Sequence, residues 1–489
     1  MIQAAPRLSF AGVALYLVVA SVAEAQPSAP VVYRLSVAGP SPSVHVTMTL
    51  PAPVAGPASF VMPRGYPGGY SVVFYDAYVA RLQARDDSRE GRSLAVARET
   101  DGPRWRLGAP GDRVSSIEYD VDLERMEHDL TSATDSSRIR PGYAGVLGYS
   151  VFGYIDGQER RPCDLEVQGP PDWPLVSTLA PTVPAPRGHL RASARDFDRL
   201  ADSQILMGPK VVIRRLDGMI PLFLAVYAEG DEDLDIEGRL ARIALDRVQT
   251  YFGDAPLAHY TVHLELLRPL PDHTYDFSQE HDESGTFSLG IDRAVTTATP
   301  ADVLDTKLFN YAHHMAHSWV PKRAYGVGYS PFTWELPPII DTIWFNEGFG
   351  RYAAIAAVAA GLPPDEGRAY RAQKLDALRA IIDSAPPFIK RLPLDVLSRE
   401  ASFMYSADFR TGSNTFARGS LMAAEMDDRI ITRTRGSRSL RDALRALVAE
   451  TARTGRPFDE ARFPELIEHA TGVAVRDIYE RWAQALERS

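Results

Sequence analysis

Through the first half of the chain apolar residues take every second position. Val44, Val46, Met48 and Leu50 alternate with polar or small residues, and Ile117, Tyr119, Val121 and Leu123 repeat the pattern. A period of two places one side of an extended segment against a core, so these runs predict strands. Turn formers punctuate them, as in Pro51-Ala52-Pro53 and Arg64-Gly65-Tyr66-Pro67-Gly68-Gly69. Residues 31–226 therefore predict an antiparallel β domain, a sandwich or an open saddle, with the proline-rich stretch 170–186 connecting strands. The period changes near Asp231. Leu234, Ile236, Leu240, Ile243, Ala244 and Val248 carry helical spacing, and Gly253 supplies a stop. Tyr260, Val262, Leu264 and Leu266 then alternate as a strand. Thr299 as N-cap and Pro300 at the first helical position predict a helix running through His317. Further helices are expected at 341–360, closed by Gly361, and at 365–382, 417–432, 440–451 and 475–486. The implied fold class is α+β and multidomain. A β-sandwich-like domain covers 26–230, and a second domain covers 231–489, mixed α/β to about residue 300 and helical after it.

The ends and the composition restrict the setting. Residues 8–22 form an apolar run behind Arg7, and Ala23-Glu24-Ala25 is a small-x-small cleavage site, so residues 1–25 are expected to be a signal peptide. The run is shorter than the roughly 20 residues that a spanning helix needs, and no later segment approaches that length. The mature chain is thus expected to be exported, to the periplasm or beyond, with no transmembrane span. Cys163 is the single cysteine, so no intrachain disulfide can form and stability must come from packing. The net charge is −10, with no basic stretch interleaved with aromatics, which argues against a nucleic acid partner.

The chemistry concentrates in His313-His314-Met315-Ala316-His317 and Trp344-Phe345-Asn346-Glu347-Gly348. Residues four apart on a helix are rotated by only about 40°, so His313 and His317 project from one face and can converge on one ion. Two imidazoles and the Glu347 carboxylate suit a single zinc ion with a fourth position left open. Asn346 is a candidate to orient Glu347 or a histidine from behind.

These segments resemble the glycyl aminopeptidase family of gluzincin zinc metallopeptidases. That family carries H-E-x-x-H-x-W-x-x-K-R, matched here by His313, His317, Trp319, Lys322 and Arg323, and then W-x-x-E-G, matched by Trp344, Glu347 and Gly348. Gln279-Glu280-His281-Asp282-Glu283-Ser284 is similar to the family's E-H-x-x-S segment, which implies that Glu280 and His281 line a substrate cleft. Residues 61–70 resemble a segment of the family's N-terminal β domain. The resemblance implies a thermolysin-like catalytic domain that binds a peptide or protein, here with no PDZ domain after the helical lobe.

Two positions depart from the family. His314 stands where the general-base glutamate belongs, and Phe416, in Phe416-Ala417-Arg418-Gly419, stands where the family has an oxyanion-binding tyrosine. A histidine base would become a cation beside a +2 ion, which is unfavourable. The side chain could instead be a fourth ligand, although position i+1 lies about 100° round the helix, or it could bond a water or carboxylate at the cleft wall. Phenylalanine cannot donate a hydrogen bond, and one oxyanion donor is worth about 2.7–4 kcal/mol. Tyr405, Tyr325 or Tyr329 could substitute for it. The expectation is a zinc- and peptide-binding protein with weak or lost hydrolysis. The alternative is an active aminopeptidase using His314, or a displaced carboxylate such as Glu280, Glu283 or Glu335.

Overall fold

The computed structural model describes residues 29–37, 41–130 and 136–486. The expected signal peptide lies outside them. Among the described residues no helix is long and apolar enough to cross a membrane.

The alternating runs pair as their patterns require. Strand Ser43–Ala55 lies antiparallel to Arg113–Asp122, with Val44 opposite Val121, Val46 opposite Tyr119 and Met48 opposite Ile117. All six side chains are buried on one face. Leu123 leaves this ladder: the Asp122 carboxylate accepts from Arg125 N and caps a short helix, Leu123–Asp129. The sheet has seven strands, and one of its pairs, Val31–Ser36 with Cys163–Gln168, is parallel rather than antiparallel. Two four-stranded sheets complete this half. One of them contains Leu175–Ser177, a strand inside the proline-rich stretch expected to be only a connection.

A mixed five-stranded sheet follows. Its order is Val212–Leu216, Leu222–Ala228, Tyr260–Leu267, Ser284–Gly290 and, at the edge, Asp276–Glu280. The first two strands come ahead of the change in residue pattern near Asp231. Helix Leu234–Phe252 crosses between parallel strands and ends on Gly253 in the left-handed conformation, as its spacing predicts. The chain is then helical, so the fold is α+β and multidomain.

Two helices depart from expectation. The helix carrying the histidines spans Ala301–Ala316 and has no side-chain cap; the Thr299 hydroxyl accepts from Thr296 N instead. The segment expected as one helix over 341–360 opens with a π-helical stretch, Trp344–Phe349, before Gly350–Ala360. This stretch makes close backbone contact with the long helix Phe409–Thr434. A Cβ on Gly348 would stand 2.5 Å from Gly419 Cα, and one on Gly419 would stand 2.0 Å from the Trp344 carbonyl oxygen. Only glycine at both positions permits this approach, and Ser420 Oγ donates to the Gly348 carbonyl at 3.0 Å.

Candidate metal centre

Helix Ala301–Ala316, with its C-cap His317, lies against the five-stranded sheet and the π-helical stretch. His313 and His317 point from one face, and the wide π turn directs Glu347 at both. His317 Nε2 lies 3.4 Å from His313 Nε2 and 3.4 Å from Glu347 Oε2, and His313 Nε2 lies 3.6 Å from Glu347 Oε2. Ligands about 2.0–2.1 Å from a tetrahedral zinc ion stand about 3.4 Å apart, so the donor set fits that ion. His317 is fully buried and its Nδ1–H donates to the Val320 carbonyl at 2.9 Å, which points Nε2 at Glu347.

Without an ion, the cleft pairs His317 with Glu347 and leaves the other two imidazoles neutral. Burial drives the His313 and His314 rings well below the usual imidazole range, helped by His317, so both are neutral and present a lone pair. Burial alone would lower His317 too, but the Glu347 and Glu280 carboxylates outweigh it and raise it to about 9. Glu347 is pushed up by burial and pulled further down by His317 and Tyr70, so it stays ionised. Glu280 is held above the ordinary carboxylate range, chiefly by burial.

Of these groups, Glu280, His313, His314 and Glu347 border one cavity of about 450 Å³, lined also by Tyr70 and Phe416 among others. Phe416 is on the cavity wall, and Tyr405 lies against it with ring centroids 5.2 Å apart, so Tyr405 lines the cavity as well. His281 faces the other way from Glu280. Its Nδ1 is 2.9 Å from Asp202 Oδ1 and its Nε2 is 3.1 Å from Thr286 Oγ1. Asn346 is buried in the turn that carries Glu347. Glu283 and Glu335 are engaged elsewhere, with Arg199 at 2.6 Å and Arg104 at 2.7 Å.

Sequence reasoning passed over Tyr70, Asn310 and Arg351, which share the cavity wall. Tyr70 is held in the left-handed region at φ 47, and its hydroxyl donates to Glu347 Oε1 at 3.0 Å. The run Gly68-Gly69-Tyr70 was the available signal. A Cβ on Gly68 would meet Glu280 Oε1 at 2.0 Å, so this loop of the β half folds directly over the site.

Residues 33–209 match the family model of the Peptidase M61 N-terminal domain. No curated protein matches the chain. Several solved structures share its fold. An aminopeptidase N family protein from Idiomarina loihiensis superposes with a TM-score of 0.79 at 17% identity, over 94% of this chain and 76% of that one. An M1 zinc metallopeptidase from Deinococcus radiodurans superposes with a TM-score of 0.56 at 15% identity, over 94% of both chains. A mutant of the Deinococcus enzyme, solved with a Tyr-Ser-Ala substrate, gives 0.54 at 15% identity, again over 94% of both chains. The chain shares the fold of these structures, and among the described residues it has buried His and Glu groups that could hold a metal ion.

Proposed function

We propose that this is an exported protein of the glycyl aminopeptidase type that binds peptides at a zinc centre formed by His313, His317 and Glu347, with hydrolysis weak or lost. The observation that carries this reading is the convergence of those three side chains, buried, at separations of 3.4–3.6 Å, with His313 and Glu347 on a cavity wall. Zinc bound there would polarise a peptide carbonyl and acidify water. Glu280 reaches the same cavity and offers a carboxylate to a peptide's amino group.

The impairment rests on the two exchanged positions. His314 is buried, neutral and set edge-on to the Phe287 ring at 5.3 Å, so its proton affinity is low where a peptidase needs a base. Phe416 has no donor, and Tyr405 lines the cavity beside it.

The test is zinc content and cleavage of alanyl and glycyl amides by the mature chain and by His314→Glu. The expected result is about one zinc per chain, little turnover, and a gain in His314→Glu of up to the 10²–10⁴ that general base help contributes. Zinc-dependent turnover of the unmodified chain at ordinary enzyme rates would overturn the reading.

A further inference from the structure

We propose that the cleft contains a second metal seat, formed by Glu280, His314 and His317, which overlaps the first and shares His317 with it. The inference rests on reading this cleft as a metal site. It gives His314 a role as ligand rather than as a failed base.

The helix register creates the overlap. His317 is preceded at four residues by His313 and at three by His314, and both spacings make helix neighbours. The three rings form a triangle, with His317 4.5 Å from His313 and 6.0 Å from His314, and 5.1 Å between those two. With His313, Glu347 closes one set; with His314, Glu280 closes the other, from the edge strand Asp276–Glu280. In each group the ligand atoms lie within 4.8 Å of one another.

The second group has the marks of a site awaiting a cation. Glu280, His314 and His317 are 3%, 8% and 0% exposed. Gln279 Nε2 donates to Glu280 Oε2 at 2.9 Å, but Glu280 Oε1 and His314 Nδ1 have no hydrogen-bond partner among the described residues. Buried polar atoms are rarely left so. Gly68, at φ +89, packs its backbone close to Oε1, where any side chain would overlap the carboxylate. Two imidazoles and a carboxylate select a zinc-like divalent ion, with cobalt and nickel as analogues, over calcium or magnesium.

The seats exclude one another. His317 Nδ1 is committed to Val320, so Nε2 serves both, and one imidazole lone pair binds one ion. An ion in the second seat has left His313 and Glu347. The chain thus holds one ion in either of two places.

Zinc affinity, read by competition with a chromophoric chelator, tests this. The unmodified chain is expected to bind one ion. His313→Gln should still bind one ion, weakened by at least about tenfold, and adding Glu280→Gln or His314→Gln to it should weaken binding by about a further hundredfold. Diffraction at the zinc edge from His313→Gln should place the ion against Glu280 and His314. If His313→Gln does not fold, Glu347→Gln opens the same seat with the same expectation. The second seat is overturned, with the first intact, if the unmodified chain binds zinc and the single variant loses it, or if the added substitutions change nothing. An unmodified chain that takes up no zinc overturns both.

Discussion

Two of the clusters of buried charge among the described residues are built differently. One joins the β half to the five-stranded sheet. Arg138 donates to Glu265, which also accepts from Tyr143 at 2.5 Å and from Ser288, while Arg140 donates to Glu127 at 2.6 Å and to Glu229 at 2.9 Å. Burial would raise the Glu265 carboxyl, but Arg138 and His263 outweigh it and hold it well below the usual range. Cation meets anion there. The other cluster is the cleft, where three neighbouring imidazoles face two carboxylates and Glu280 Oε1, His313 Nδ1 and His314 Nδ1 have no hydrogen-bond partner among the described residues. The first arrangement matches its charges within the protein and acts as a brace. The second holds buried ring nitrogens and a carboxylate oxygen that a cation would satisfy, at a desolvation cost.

Breaking the brace should produce the largest effect. Glu265→Gln leaves Arg138 under-compensated at 1% side-chain exposure, and should cost about 3–5 kcal/mol in denaturant unfolding while zinc stoichiometry in the folded fraction is unchanged. Acid should act next. The buried Asp202 carboxyl, pushed up by burial but pulled down further by Lys322 and His281, sits at about 2. A depressed carboxyl adds stability above its unfolded value near 4 that is lost as pH falls through its folded value, so unfolding free energy should drop by about 2 kcal/mol between about pH 4 and pH 2. Asp202→Asn should flatten that part of the profile. The smallest effect belongs to the cleft: Tyr70→Phe removes the hydroxyl that donates to Glu347, and should cost about 1 kcal/mol of stability but roughly tenfold in zinc affinity. A stability loss without an affinity loss would place Tyr70 with the brace instead.

The sequence carried local periodicity well. The partners Val44 and Val121 or Met48 and Ile117 follow from alternation, and the i, i+4 histidines follow from helix geometry. It did not carry contacts between distant segments. Tyr70 reaches Glu347 across 277 positions, and no pattern within either segment signals that. The close approach at the π turn was hidden for a similar reason: Gly348 meets Gly419 from another helix. Thr299 looked like a cap because its residue type suits one, but Thr296 took its hydroxyl first.

The central claim, that the cleft cluster is finished by a cation, is tested most directly by zinc-edge diffraction from crystals of the mature chain. The account predicts one ion per chain in contact with His317 Nε2 and closed by Glu347 or by Glu280. A zinc-soaked crystal with no anomalous peak within bonding distance of His317, while Glu347 and the histidines remain ordered, would contradict it.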